Sequence, residues 1–171
     1  MDNNMIPCRV ELGAGDGKNA ERMIAEPGGT VWVYDTFYGF PLDTLWDGES
    51  RGACEGIGSG YPGVKDRLEY LGAVCVDGRF PESFWKSHPV SVSSVHIDMD
   101  TYITTISALE LFDRVMIPGG AFNIHDWDNG GLPGVKRAVD EFLAGPFGTR
   151  YEHYKLHDHY VVKKADHSQN N

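Results

Sequence analysis

Residues 10–23 read VELGAGDGKNAERM. An apolar run ends, Gly13, Gly15 and Gly17 follow at every second position, and then Ala20, Met23 and Ile24 fall at the spacing of one helical face. Glycine lets a backbone turn sharply and approach a ligand, whose polar end can meet the free N–H groups of a helix start. A strand, a glycine loop and a helix in that order is the context in which such a loop binds a ligand.

The rest of the chain repeats the alternation. Short β-rich runs (CRVEL, TVWVYD, AVCVDG, VSSVHID, AFNIHDW) are separated by amphipathic segments (NAERMIAE, GVKDRLEYL, TTISALELFDRVM), which predicts βαβ units and a parallel sheet. Ile106, Leu109, Phe112 and Met116 lie three or four residues apart, as do Val135, Ala138, Val139, Phe142 and Leu143, so both stretches read as helices. Pro118-Gly119-Gly120 is expected to stop the first of them. In RYEHYKLHDHYVVKK two strands are joined by a turn too short for a parallel crossover, which implies one antiparallel edge strand.

A length of 171 residues suits one domain, with a core over 1–164 and a polar, frayed tail over 165–171. The glycine-rich loop at 47–64 is long enough to be functional or disordered. No apolar run reaches the ~18 residues of a membrane span, and the start lacks the regions of a signal peptide, so a cytoplasmic protein without a membrane partner is expected. A net charge of −10 disfavours nucleic acid. Cys8, Cys54 and Cys75 have no CxxC pairing and read as reduced thiols.

In VSVSSVHIDMDTY (90–102), Asp98 and Asp100 share a face if the strand continues that far. Burying an unpaired carboxylate is costly, so such a pair belongs at a strand mouth, facing water, a cation or a ligand. The next strand ends in His125 and Asp126, which brings four metal-binding or proton-handling groups to one crevice beyond the carboxyl ends of the strands. Aspartate oxygens suit Mg²⁺. Asp98 is the first choice of catalytic base and His125 the second; a histidine hydrogen-bonded within its loop is the other reading of His125. His96 reads as buried and satisfied. His153, His157 and His159 read as solvent-edge residues, of which His157 and His159 can approach the crevice.

The glycine spacing discriminates between ligands. G-x-G-x-x-G starting at Gly13 needs glycine where Lys18 stands, which argues against a dinucleotide. Glu11-x-Gly13-x-Gly15-x-Gly17 resembles motif I of class I S-adenosylmethionine-dependent methyltransferases. That resemblance implies that Glu11, Gly13, Ala14, Gly15 and Gly17 wrap the methionine moiety. Asp35, about 20 residues on, stands where a carboxylate grips ribose hydroxyls, with Thr36 and Phe37 beside it. Asp77, Gly78 and Phe80 fall where the family contacts the adenine.

VWVYDTFYGFP, DGRFPESF, HIDMDTYITTISALELF, PGGAFNIHDW and PGVKRAVDEF together resemble the macrocin O-methyltransferase family over nearly the whole chain. The resemblance implies a single Rossmann-like class I methyltransferase domain of the α/β class, a mostly parallel seven-stranded sheet with an antiparallel last strand. It also implies S-adenosyl-L-methionine as cofactor and a small or glycosylated hydroxyl acceptor. The family's magnesium ligands fall on Asp98 and Asp126, with His125 in place of an aspartate; imidazole is a poorer Mg²⁺ ligand than carboxylate. The family carries an N-terminal helical segment over the site, and strand one begins here close to the first methionine, so a truncated cover is expected. The 47–64 loop and a neighbouring subunit of a homo-oligomer then close the site, or the acceptor is larger. Trp46, Tyr61 and Trp127 are candidate aromatic walls for it. A metal-independent methyltransferase and a non-catalytic cofactor-binding domain are the alternatives.

Overall fold

The computed structural model describes residues 6–41 and 61–166. Along the chain come β1 (Cys8–Leu12), α1 (Lys18–Ala25), β2 (Val31–Asp35), α2 (Val64–Tyr70), β3 (Val74–Asp77), β4 (Val92–Ile97), α3 (Tyr102–Asp113), β5 (Met116–Ile124), α4 (Pro133–Ala144), β6 (Tyr151–Leu156) and β7 (His159–Lys164). The strands form one seven-stranded sheet in the order β3-β2-β1-β4-β5-β7-β6. Neighbours among β1 to β5 pair in parallel.

The antiparallel strand is β7, and it is not at the edge: it pairs antiparallel with β5 on one side and β6 on the other. The edge strand is β6. The expected antiparallel edge strand is therefore corrected, because the hairpin inserts its second strand next to β5 and leaves its first outside.

Alternation of side chains builds two cores. Val10 and Leu12 of β1, Val95 and Ile97 of β4, and Phe122 and Ile124 of β5 pack on one face with Leu109, Phe112, Val135 and Val139 of α3 and α4. Val31 and Val33 of β2 meet Ala20, Val64 and Leu68 of α1 and α2 on the other. At the centre of the first core, Phe112 stacks on Phe80 at 6.2 Å between ring centroids and meets Tyr34 and Phe84 edge-on.

Helix α3 ends at Asp113, and Met116 already belongs to β5, so Pro118-Gly119-Gly120 does not stop the helix as expected. The three residues lie within β5, where the register with β4 jumps from Val92↔Met116 to Ser94↔Ala121. They are accommodated as a bulge, with Gly119 at φ 78°. What ends the helix is tertiary: the buried Asp113 carboxylate accepts from Arg150 Nη2 at 2.8 Å and Tyr151 Oη at 2.7 Å. Lys164 Nζ donates to the Asp113 carbonyl at 2.8 Å.

From β1 the chain runs outward through β2 to β3 and then crosses back to β4 on the other side of β1. That reversal opens a crevice above the ends of β1 and β4, where open α/β sheets bind ligands. No helix among the described residues is long and apolar enough to cross a membrane. Trp46, Cys54, most of the 47–64 loop and the tail from 167 onward lie outside the described residues.

Replacing Phe112 by alanine removes the hub of the aromatic cluster; urea denaturation is expected to give an unfolding free energy lower by about 3–5 kcal/mol.

Candidate functional site

A cavity of about 430 Å³ fills the crevice. At one end it is lined by Glu11, the loop from Gly13 to Asp16, and Asp35, Thr36 and Phe37; at the other by Asp98, Asp100, Thr104 and Asp126. Phe80 and Tyr61 also line it. Gly17 is not on the wall; it precedes α1 with φ 84° and lets the chain enter the helix.

The two ends meet because Gly13 has no side chain. A Cβ there would sit 2.1 Å from the carbonyl oxygen of Asp98, and its φ is 87°. On β2, the Asp35 carboxylate accepts the backbone N–H of Ala14 on Oδ2 and of Phe37 on Oδ1, both at 2.6 Å. It thus ties the glycine loop to the end of β2, and a carboxylate with about four acceptor positions keeps capacity for ligand hydroxyls. Phe37 adopts φ 58° to make its bond. Asp77 and Gly78 do not line the cavity; the Asp77 carbonyl accepts from Lys86 Nζ at 2.7 Å.

The acidic end is not built as two residues on one strand face. β4 stops at Ile97, the Asp98 N–H makes one more ladder bond to Leu12 O at 2.9 Å, and Asp100 then turns with φ 63°. That turn brings both carboxylates to the same cavity. Asp126, at φ 55°, arrives from the end of β5. His125 Nδ1 stands 3.1 Å from Asp98 Oδ1 and 2.5 Å from Asp126 Oδ2. One donor atom from each of Asp98, His125 and Asp126 lies within 4.8 Å of the others, close enough for one cation.

Burial, then the negative charges of Asp98 and Asp126, push the Asp100 carboxyl up to about 7. Burial also raises the Asp98 carboxyl, against the opposing pull of His125. For His125, burial disfavours the imidazolium, yet Asp98 and Asp126 outweigh it and its pKa is raised. Two carboxylates and one imidazole fit a divalent cation, and the nitrogen makes the set better suited to a transition metal than to Mg²⁺.

Asn129 and Asn19 were not singled out in the sequence. Asn129 donates Nδ2–H to Asp126 Oδ1 at 2.9 Å and its N–H to the Asp126 carbonyl at 3.1 Å, fixing a carboxylate of the cluster from behind. An asparagine three residues after an aspartate in a glycine-rich turn is the only local signal. Glu11, 1 % exposed, is held by Asn19 and His96; burial raises its pKa, against the hydrogen bond from His96. His96 is indeed half-enclosed and partnered. The His159 ring centroid is 5.3 Å from that of His125, but His159 lines a groove separate from the cavity, together with His157. Trp127 lines a separate groove, stacked on Tyr160 at 4.2 Å with the Lys136 ammonium over its ring.

This sheet order, with helices on both faces and an antiparallel β7, is the Rossmann-like fold of class I methyltransferases. No protein-family profile matches the chain, and no curated protein does. Among solved structures it is similar to the O-methyltransferase NovP, at 21 % identity and TM-score 0.77, over 95 % of this chain and 74 % of that one. It is similar to the calicheamicin methyltransferase CalS11 at 17 % identity and TM-score 0.70, over 92 % and 72 %. An O-methyltransferase from Bacillus cereus in complex with SAH matches at 13 % identity and TM-score 0.61, over 93 % and 74 %.

Gly13→Ala is expected to abolish ligand binding in the cavity in a calorimetric titration, because the added methyl meets backbone and not a movable side chain. A second expectation concerns pH. Between 3.8 and about 7 the folded Asp100 retains a proton that the unfolded chain has released, so the folded state binds more protons and stability falls as pH rises through that window. Asp100→Asn, which tolerates the left-handed backbone, should flatten that fall in urea-denaturation curves recorded with chelator at several pH values.

Proposed function

We propose that the chain is an S-adenosylmethionine-dependent O-methyltransferase acting on a hydroxyl of a small or glycosylated metabolite, with help from a divalent cation. The observation that carries this reading is one cavity that joins the glycine loop and Asp35 to the carboxylates of Asp98, Asp100 and Asp126. Similarity to CalS11, a TDP-rhamnose 3′-O-methyltransferase of calicheamicin biosynthesis, supports a glycosylated acceptor. The net charge of −10 supports a small acceptor over a polyanion.

In this reading the backbone of the glycine loop and Glu11 hold the methionine end of the cofactor, and Asp35 the ribose. Transfer forms a carbon–oxygen bond to the acceptor as the methyl–sulfur bond breaks, which needs the hydroxyl held in line with the methyl group. The hydroxyl proton passes to the Asp98 carboxylate, which His125 Nδ1, 3.1 Å away, keeps oriented. Asp98, His125 and Asp126 would hold the cation, which when bound makes a coordinated hydroxyl more acidic. Asn129 keeps the Asp126 carboxylate aimed.

A metal-independent methyltransferase is the second reading, favoured by the hydrogen bond of His125 Nδ1 to Asp126, which satisfies that pair without an ion. Titration with S-adenosylhomocysteine should release heat at a single site; a flat thermogram at high protein concentration sinks both readings. Activity on a hydroxyl acceptor should be lost on chelation and in Asp98→Asn, whereas turnover that survives complete chelation selects the second.

A further inference from the structure

Glu11 is more than one wall of the cavity; it is the end of a line of hydrogen bonds. Its Oε2 accepts from Asn19 Nδ2 at 2.7 Å, and its Oε1 lies 3.2 Å from His96 Nδ1. On the other side of that ring, His96 Nε2 is 3.0 Å from Nε2 of His159, whose Nδ1 is 2.7 Å from Asp158 Oδ1. Two ring nitrogens at this separation share one hydrogen, so each imidazole fixes the orientation of the other. The line runs from β1 through β4 to the two-residue turn between β6 and β7.

Asp158 and His159 do not line the cavity. They lie with His96 and Asn19 in a separate groove of about 370 Å³ on the α1 side of the sheet. The buried Glu11 side chain would otherwise be free to rotate away from a ligand, and a carboxylate oxygen left without its donor costs the desolvation of that group. Two donors on two different elements keep it preorganised, which lowers what a ligand must spend on ordering it.

We propose that His96 and His159 are positioning residues that hold Glu11 toward the ammonium group of the cofactor, so that the start of β7 sets cofactor affinity from outside the cavity. The proposal rests on the cofactor reading above. Removing the His159 ring takes away the partner of His96 Nε2 and leaves the imidazole oriented from its Nδ1 side alone, where Asn19 Nδ2 at 3.3 Å competes with Glu11 Oε1, so the bond to Glu11 weakens. Asn19 holds only the other of the two oxygens.

Calorimetry with S-adenosylhomocysteine on the full chain tests this. His159→Ala should weaken binding roughly tenfold, the loss expected of one hydrogen bond to a charged group. His159→Gln, which restores a polar group facing His96, should stay within about threefold of the wild type. Because a donor to the buried Glu11 is lost, the ligand-free melting temperature of His159→Ala should fall by a few degrees, whereas that of His159→Gln should stay within about 2 °C of the wild type. His157→Asn, in the turn just before β7 but outside the line of hydrogen bonds, should bind as the wild type does. Equal affinity in His159→Ala and wild type overturns the proposal. So does weakened binding that tracks a fall in melting temperature and is not restored by glutamine. A wild type that binds no S-adenosylhomocysteine overturns the cofactor reading itself, and the proposal with it.

Discussion

The end of β1 touches the end of β4 at one point, where the Leu12 carbonyl takes the Asp98 N–H and Gly13 lies flat against the Asp98 carbonyl. Everything that makes a site depends on that approach. β1 supplies the loop that turns above the sheet and β4 supplies the first acid, and only a residue without a Cβ lets the two backbones close to this distance. The strand reversal places this contact in the middle of the sheet, so the crevice above it collects groups from both halves of the chain.

The acidic half of that crevice is held against its own repulsion. Asp98, Asp100 and Asp126 converge where burial already disfavours charge, and the structure answers in two ways. Asp100 keeps its proton to higher pH, and His125, placed between the other two carboxylates, has its charged form favoured by them. Both Asp100 and Asp126 adopt left-handed backbone conformations, which cost non-glycine residues energy and are tolerated best by Asp and Asn. Strain and like charge at one spot support the proposed role of this cluster in meeting a cation or a hydroxyl.

Much of this is legible in the sequence because local rules and tertiary structure agree. Alternating apolar residues mark the strands, and the glycine loop stands in its strand-to-helix context. Where tertiary contacts decide, the local reading fails. Pro118-Gly119-Gly120 reads as a helix stop, yet Asp113 ends the helix through Arg150 and Tyr151 and the breaker triplet is absorbed as a bulge. The turn of the last hairpin is visible in the sequence, but nothing local says which of its strands pairs with β5. Asp98 and Asp100 reach one cavity through a backbone turn and not through strand periodicity. Trp127 looks like a free aromatic wall until Tyr160 and Lys136 are found on its faces.

The sheet order also makes the crevice depend on contacts far apart in the chain. Glu11 and His96, which touch in the finished site, are 85 residues apart, and closing so long a loop is slow compared with forming local helices and hairpins. Until β4 has been synthesised and has docked, β1 has only β2 beside it, and its apolar face has no α3 to cover it. The crevice therefore needs both halves of the chain: without β4 there is a glycine loop but no acid opposite it, and the β1 valine and leucine that the finished core buries are exposed. Such a half-formed sheet is a target for self-association during synthesis, and a ligand that needs both ends of the cavity would stabilise only the completed fold.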